Sequence, residues 1–179
     1  MKFIVIIGPN GVGKSTTAKS FLTSYPKSAL VDSDWCRATN PFSFNKEIKR
    51  TITDNIFCLI HNYMQCKDIE NIIFTYGFHG ERKEIFDEVL QRLQKEKANF
   101  ELYIIVLKCS LDENIRRMRL DGREESRIKR GIENTFYFYD GYEYPVIDTT
   151  ELEIEQVTDR IAEIAGMDRN LGKEKGNTI

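Results

Sequence analysis

Short apolar runs alternate with longer amphipathic stretches along most of the 179-residue chain. Continuous apolar runs predict strands that are buried on both faces, and apolar residues at helical spacing predict helices that pack on one side. The predicted strands cover residues 2–7, 28–31, 69–75, 100–107 and 144–147, and helices are predicted after each of them, including 15–24 and 45–66. This alternation predicts a three-layer α/β/α sandwich with a five-stranded parallel sheet.

Polar residues at a fixed spacing predict where the last two helices begin. Ser110 stands three residues before Glu113, which is the spacing of a capping box. Thr150 stands three residues before Glu153 in the same way. Beyond residue 165 the chain is polar and glycine-rich. We therefore predict one domain over residues 1–165 and a polar tail over residues 166–179.

Net charge and cysteine spacing narrow the classes of function. The 26 lysines and arginines against 28 aspartates and glutamates give a net charge of −2, so no overall attraction to nucleic acid or to an anionic membrane is expected. The opening apolar run is too short for a signal sequence or a membrane span, which predicts a cytoplasmic protein. The four cysteines show no C-x-x-C pair and no metal-ligand spacing, so reduced and mostly buried thiols are expected.

A phosphate-binding motif follows the first predicted strand. Residues 8–15 read GPNGVGKS and fit the pattern G-x-x-x-x-G-K-[ST] between a strand and a helix. Its glycines let successive backbone N–H groups and the helix N-terminus face a polyphosphate. Lys14 is expected to reach the β- and γ-phosphates of ATP, and the Ser15 hydroxyl to bind Mg²⁺. The predicted nucleotide-binding residues here are Gly8, Pro9, Asn10, Gly11, Val12, Gly13, Lys14, Ser15 and Thr16.

Further signatures separate the classes of protein that carry such a loop. The guanine-binding pattern N-K-x-D is not completed at Asn45-Lys46-Glu47-Ile48, which disfavours a GTPase. The third and fourth predicted strands end in Thr75-Tyr76 and Lys108-Cys109 rather than in adjacent acids, which disfavours a motor ATPase. The second strand does end in acids, at Asp32-Ser33-Asp34.

With these features the chain resembles the small P-loop kinases of the nucleoside, shikimate and gluconate kinase type, and also the kinase domain of phage-type polynucleotide 5′-hydroxyl kinase. The resemblance covers nearly all of residues 1–165, with an arginine-rich lid over about 116–135 and a last strand ending in Asp-Thr-Thr. It implies that Asp34 orients the acceptor hydroxyl and accepts its proton, and that Asp32 supports Mg²⁺ through water. The resemblance also implies that Thr150 lies near the adenine of the bound nucleotide. The alternative is that Asp32, Asp34 or both cap the helix that follows the second strand.

Arginines supply further candidate site residues. Arg37, one helical turn after Asp34, is placed to grip an anionic group on the acceptor, although an ordinary surface arginine fits the same position. The resemblance implies that two or more lid arginines close over the nucleotide and neutralise developing charge. The residues four positions either side of Arg123 are arginines rather than acids, and this lack of i,i+4 pairs favours a ligand role. Arg117 and Arg123 are the predicted lid residues.

The turn after the third strand supplies candidates for the acceptor pocket. Gly77 and Phe78 are expected to shape it, whereas the neighbouring His79 is interpreted as a bystander more than as a base. Adenylate-kinase-like enzymes carry Asp-Gly-x-Pro at this turn. The chain reads Tyr76-Gly77-Phe78-His79 instead, which disfavours a nucleotide monophosphate as acceptor.

Three functions remain open from the sequence. The leading hypothesis is a kinase that moves the γ-phosphoryl group of Mg-ATP to a hydroxyl of a small molecule. The second is a polynucleotide 5′-hydroxyl kinase, suggested by the Asp34-x-x-Arg37 spacing and opposed by the lack of a basic stripe. The third is a nucleotide-binding module or switch without phosphotransfer. A monomer or homodimer without a membrane partner is expected in each case.

Overall fold

The computed structural model of the protein describes residues 1–167, so residues 168–179 of the predicted tail lie outside the described part. Five parallel strands form one sheet in the order β2-β3-β1-β4-β5. Their bounds are β1 Lys2–Ile7, β2 Ser28–Asp32, β3 Asn71–Thr75, β4 Glu101–Lys108 and β5 Val146–Asp148. The predicted α/β fold with a five-stranded parallel sheet is confirmed.

Helices cover both faces of this sheet. Their bounds are α1 Lys14–Ser24, α2 Lys46–Gln65, α3 Arg82–Lys95, α4 Leu111–Leu120, α5 Glu125–Thr135 and α6 Ile154–Ile164, and a short 3-10 helix covers Trp35–Arg37. Alternate residues of β1 belong to two core clusters: Phe3, Val5 and Ile7 pack with α2 and α3, whereas Ile4 and Ile6 pack with α1 and α6. Burial on both faces is the reason that β1 is apolar at every position from Phe3 onward.

The strand register brings the functional turns to one edge of the sheet. Ile6 of β1 pairs with Thr75 of β3, and Ile7 pairs with Val106 of β4, so these strands end at nearly the same level. Asp32, the last residue of β2, pairs with Thr75 as well. The turns that follow β1, β2, β3 and β4 therefore meet beyond the carboxyl ends of the strands, where open parallel sheets bind their ligands.

The largest boundary differences are at the starts of two strands, each by two residues. The third strand begins at Asn71 rather than at residue 69, and the fifth covers Val146–Asp148 rather than 144–147. Pro145 has no N–H to donate, and its carbonyl accepts the bond from Val106, so the ladder with β4 begins there. The ring of Tyr144, predicted inside the strand, packs instead against the ring of Phe78.

The predicted cap of the last helix is wrong. Helix α6 is capped by Glu153, whose backbone N–H is bonded by the Gln156 side chain. The Thr150 hydroxyl is engaged elsewhere: it donates to Asp148 at 2.6 Å and accepts from the Ser110 N–H at 2.8 Å. Ser110 does cap α4 through the Glu113 N–H, but the Glu113 carboxylate bonds arginines, so only half of that predicted capping box forms.

The burial of the four cysteines differs in part from the prediction. All four cysteines are free, but only Cys36 and Cys109 are buried, whereas Cys58 and Cys66 are exposed. The prediction of mostly buried thiols is therefore half correct. Within residues 1–167, no helix has both the length and the apolar character needed to cross a membrane.

Candidate active site

A cleft of about 570 Å³ lies where the turns meet. It is lined by the residue 8–15 loop, by the turns after β2 and β3, by the end of α4 and by the loop between β5 and α6. Of the predicted nucleotide-binding residues, those that line it are Asn10, Gly11, Gly13, Lys14, Ser15, Thr16 and Thr150. The other three, Gly8, Pro9 and Val12, are buried within the loop and do not line the cleft.

The residue 8–15 loop has a backbone that requires glycine. Gly8 has φ 147° and Gly13, directly before α1, has φ 102°. A Cβ on Gly8 would lie 2.3 Å from the carbonyl oxygen of Leu107. The loop thus curls tightly against β4 and runs straight into the N-terminus of α1, an arrangement that suits an anionic phosphate.

Lys14 is held inside this loop. Its Nζ donates to the carbonyl oxygens of Gly8 and Pro9, each at 2.8 Å. Burial lowers the pKa of the Lys14 amine to about 8, against the opposing charge of Asp34. An incoming phosphate would replace the two carbonyl bonds with a charge-assisted bond, which favours the ammonium form.

Ser15 and Asp32 form the predicted metal position. The Ser15 hydroxyl donates to Asp32 Oδ2 at 3.0 Å, while Asp32 Oδ1 accepts from the Asp34 N–H at 3.0 Å. The second bond means that Asp32 also holds the turn, but it does not cap the 3-10 helix, whose N-cap is Asp34 without a side-chain capping bond. Within residues 1–167 no cluster of three His, Cys, Asp or Glu side chains could hold a metal. Ser15 and Asp32 fit a Mg²⁺ ion that takes most of its oxygen ligands from phosphates and water.

Asp34 points one carboxylate oxygen at Arg37 and leaves the other available. Arg37 donates to Asp34 Oδ1 through Nε at 3.0 Å and through Nη2 at 2.5 Å. Asp34 stands at the start of the 3-10 helix, but its side chain makes no capping bond there. Both residues line the cleft, and the Asp34 side chain is 71% exposed. A carboxylate fixed at one oxygen and open at the other can accept a proton from a bound hydroxyl.

The lid arginines do have acidic partners, so the argument from unpaired charge is wrong. Arg117 donates to Glu113, four residues earlier on α4, and Arg123 donates to Asp121 in the turn after α4. Arg117 also bonds the carbonyl oxygens of Val12 and Thr149, at 3.1 and 2.7 Å. Arg117 thus ties the residue 8–15 loop to the loop after β5. Both arginines line the cleft, and their roles toward a nucleotide stay predictions.

The structure places Gly77 at the cleft and Phe78 in the core. Gly77 lines the cleft, and its part in an acceptor pocket stays a prediction. Phe78 is fully buried and its ring packs against Phe86, 5.0 Å away, while its N–H donates to the Tyr139 hydroxyl. The backbone after β3 turns this side chain into the core, so the prediction that Phe78 contacts a substrate is wrong. The aromatic residue instead anchors the turn that carries His79.

Arg82 is a site residue that the sequence reasoning missed. It is the first residue of α3, it lines the cleft, and its side chain is partly buried. A cation at a helix N-terminus is unfavourable because that end of the helix dipole is positive. That placement is the signal in the sequence that marks Arg82 as unusual.

We expect the pH dependence of stability to report His79. Burial, with the charges of Arg82 and Lys14, lowers the pKa of His79 to about 4. The unfolded chain protonates this histidine below about pH 6.5, so stability is lost as the pH falls from about 6.5 to about 4, by up to about 3 kcal/mol. Urea unfolding near pH 7 and near pH 5 measures the effect. His79→Gln should flatten the profile, and an unchanged profile would contradict this assignment.

A family model described as an AAA domain matches residues 4–137. The chain belongs to this AAA domain family. The family is P-loop kinase-like, and solved kinases share the fold of this AAA domain. No curated protein matches the sequence at a significant level.

Three solved structures illustrate the likeness of this AAA domain. The tunicamycin resistance protein of Deinococcus radiodurans is 20% identical with a TM-score of 0.67, over 93% of this chain and 96% of that one. A gluconokinase from Sinorhizobium meliloti is 12% identical with a TM-score of 0.61, over 92% and 91%. A shikimate kinase from Acinetobacter baumannii is 17% identical with a TM-score of 0.59, over 92% of each chain. At these identities the likeness shows a small P-loop kinase fold.

Proposed function

We propose that the protein is an ATP-dependent kinase that transfers the γ-phosphoryl group to a hydroxyl of a small molecule. The observation that carries the proposal is the placement of Asp34 in the same cleft as Lys14 and Ser15. A nucleotide-binding module needs the residue 8–15 loop, but it has no need of a carboxylate with a free oxygen beside the phosphate position.

Each residue has a distinct part in the proposed reaction. The residue 8–15 loop and Lys14 hold the β- and γ-phosphates, and Ser15 with Asp32 holds Mg²⁺, which when bound neutralises phosphate charge. Arg37 fixes one oxygen of Asp34, so that the other accepts the proton as the acceptor oxygen attacks phosphorus. The bond between the γ-phosphorus and the bridging oxygen breaks, and ADP leaves. Arg123 supplies positive charge at the transferring group.

One observation favours the polynucleotide 5′-hydroxyl kinase as a second candidate. Trp35, directly after Asp34, is 82% exposed, and Phe42 and Phe44 in the loop that follows are 50% and 42% exposed. Exposed aromatic rings near a phosphoryl acceptor site can stack nucleobases. The net charge of −2 gives this candidate no general attraction to a polyanion.

A panel of acceptors tests both candidates. ADP release in the presence of Mg²⁺ would be measured with polyols, sugars, sugar acids, nucleosides and 5′-hydroxyl oligonucleotides. Stimulation by a small hydroxyl compound is the expected result, and stimulation by oligonucleotides alone would favour the second candidate. ATP binding without stimulation by any acceptor would count against the kinase and favour a nucleotide-binding module.

A further inference from the structure

Helices α4 and α5 hold one residue of the phosphate loop by its backbone. The Asn10 N–H donates to the Thr135 hydroxyl at 3.0 Å, and the Asn10 carbonyl oxygen accepts from Nδ2 of Asn114, also at 3.0 Å. Asn114 lies in α4, and Thr135 is the last residue of α5. These partners stand 104 and 125 positions from Asn10 in the chain, so the fold brings them to the loop.

Both of these side chains are buried. Asn114 is 1% exposed and Thr135 is 2% exposed. The Thr135 hydroxyl also donates to the Gly131 carbonyl oxygen at 2.7 Å, so it serves as donor and acceptor at once. Within residues 1–167, Oδ1 of Asn114 is buried without a hydrogen-bond partner. An apolar residue would avoid that cost, so the bond from Nδ2 to the loop accounts for the amide at this position.

Two further contacts join the same stretch of the loop to α4. Arg117 donates to the Val12 carbonyl oxygen at 3.1 Å. Gly11 lies so close to α4 that an added Cβ would meet Cγ of Met118 at 2.4 Å. Close-packed groups transmit a displacement to their neighbours because there is no empty space to absorb it. Residues 10–12 therefore cannot shift unless α4 shifts with them.

This arrangement has two physical consequences for a bound nucleotide. A loop that is already held in its binding shape loses less conformational entropy on binding, which strengthens the affinity. The coupling is also reciprocal: a nucleotide that fixes the loop stabilises the helices that hold it, by the same free energy. Arg117 in α4 and Arg123 in the turn before α5 line the cleft, so the coupling extends to the predicted lid arginines.

We propose that Thr135 and Asn114 are positioning residues for the nucleotide, which hold the phosphate loop in its binding shape through Asn10 and couple nucleotide binding to the stability of α5. Neither residue lines the cleft, so each acts through the loop rather than on the ligand. The inference rests on nucleotide binding by the residue 8–15 loop, which is part of the proposed function, and it does not require phosphotransfer.

Removing the Thr135 hydroxyl tests the positioning role. Thr135→Val keeps the shape of the side chain and leaves the Asn10 N–H without its acceptor. We expect the Kd for ADP, measured by calorimetry with Mg²⁺, to rise about tenfold. Thr135→Ser restores the hydroxyl and should bind ADP within about twofold of the wild-type protein. Failure of serine to restore the affinity would overturn the role of this hydroxyl.

Thr53→Val is the matched control. Thr53 is a helix threonine that is 1% exposed, and its hydroxyl donates to the Lys49 carbonyl oxygen four residues earlier, as that of Thr135 does to Gly131. It lies in α2 and does not line the cleft. Urea unfolding should show a loss of stability in both valine variants, whereas the Kd for ADP should rise only in Thr135→Val. An equal Kd in the two variants would overturn the inference.

Limited proteolysis measures the reciprocal effect on α5. Trypsin can cleave after Arg127 and Arg130, which are exposed in α5, and after Arg50, which is 85% exposed in α2. Saturating ADP should slow cleavage in α5 of the wild-type protein by about fivefold or more relative to cleavage at Arg50. In Thr135→Val at saturating ADP this relative protection should largely disappear. Dividing by the rate at Arg50 removes a general loss of stability, so full protection in the variant would contradict the coupling.

The kinase and the positioning role can fail separately. ADP binding and α5 protection that depend on Thr135, without transfer to any acceptor, would support the positioning role and count against the kinase. Phosphoryl transfer with an ADP affinity that Thr135→Val leaves unchanged would support the kinase and overturn the positioning role. The absence of ADP binding in the wild-type protein would overturn both.

Discussion

Replacing Asp34 with asparagine is expected to reduce kcat by about 10²–10⁴-fold, because the acceptor hydroxyl loses the group that takes its proton. The change removes a charge without removing volume, and Asp34 is exposed and caps no helix. Folding and the affinity for ATP should therefore stay close to those of the wild-type protein. Steady-state kinetics with a saturating acceptor, together with a nucleotide-binding titration, measures both quantities.

Two further variants separate the proton acceptor from its orienting partner. Arg37→Gln keeps the carboxylate and removes the two bonds to Oδ1, so a smaller loss of kcat is expected than for Asp34→Asn. Asp68→Asn alters an exposed aspartate at the amino end of β3, the opposite edge of the sheet, and should leave kcat unchanged. Full turnover by Asp34→Asn would show that Asp34 is not the base.

The Gly8→Ala variant is expected to lose about 3 kcal/mol of unfolding free energy, from backbone strain and overpacking together. Gly8 has φ 147°, and the added Cβ would meet the Leu107 carbonyl oxygen at 2.3 Å. Neither that oxygen nor the loop can move without disturbing β1 or β4. Urea unfolding followed by circular dichroism measures the loss, and nucleotide binding should weaken with it because the loop must shift.

Gly141→Ala is the matched control for this prediction. A Cβ at Gly141 meets no atom within 4 Å, and its backbone does not have the positive φ of Gly8. Its unfolding free energy should stay within about 0.5 kcal/mol of the wild-type value. Similar stabilities for the two variants would show that the phosphate loop does not require glycine at position 8.

The fold was predictable because buried positions must be apolar, and apolar positions can be read directly from the sequence. β1 must be apolar at successive positions, since it has helices on both faces, and the glycines of the residue 8–15 loop serve a backbone that other residues resist. Asp34 follows a predicted strand that ends at the same edge as the phosphate loop, but its proposed role came from the resemblance to small P-loop kinases. Local pattern and strand order were sufficient for the strand and the loop.

The parts of the site that were missed depend on contacts between distant segments. Thr150 looked like a helix cap, but its hydroxyl bonds Ser110, 40 residues away in the chain. Phe78 was predicted to shape the acceptor pocket, yet its ring packs against the ring of Phe86 in α3. Arg82 gained its position in the cleft from the packing of α3 beside the turn after β3. Periodicity within one segment cannot specify which distant side chain a residue meets.

The central claim is that Asp34 and the phosphate loop act together in phosphoryl transfer. The most direct test follows ATP labelled at the γ-phosphate, with Mg²⁺ and a hydroxyl compound that stimulates ADP release, in the wild-type protein and in Asp34→Asn. We predict that the label becomes covalently attached to the acceptor in the wild-type reaction and is almost absent from it in the variant. Label that appears only as inorganic phosphate, or transfer that is equal in the two proteins, would contradict the account.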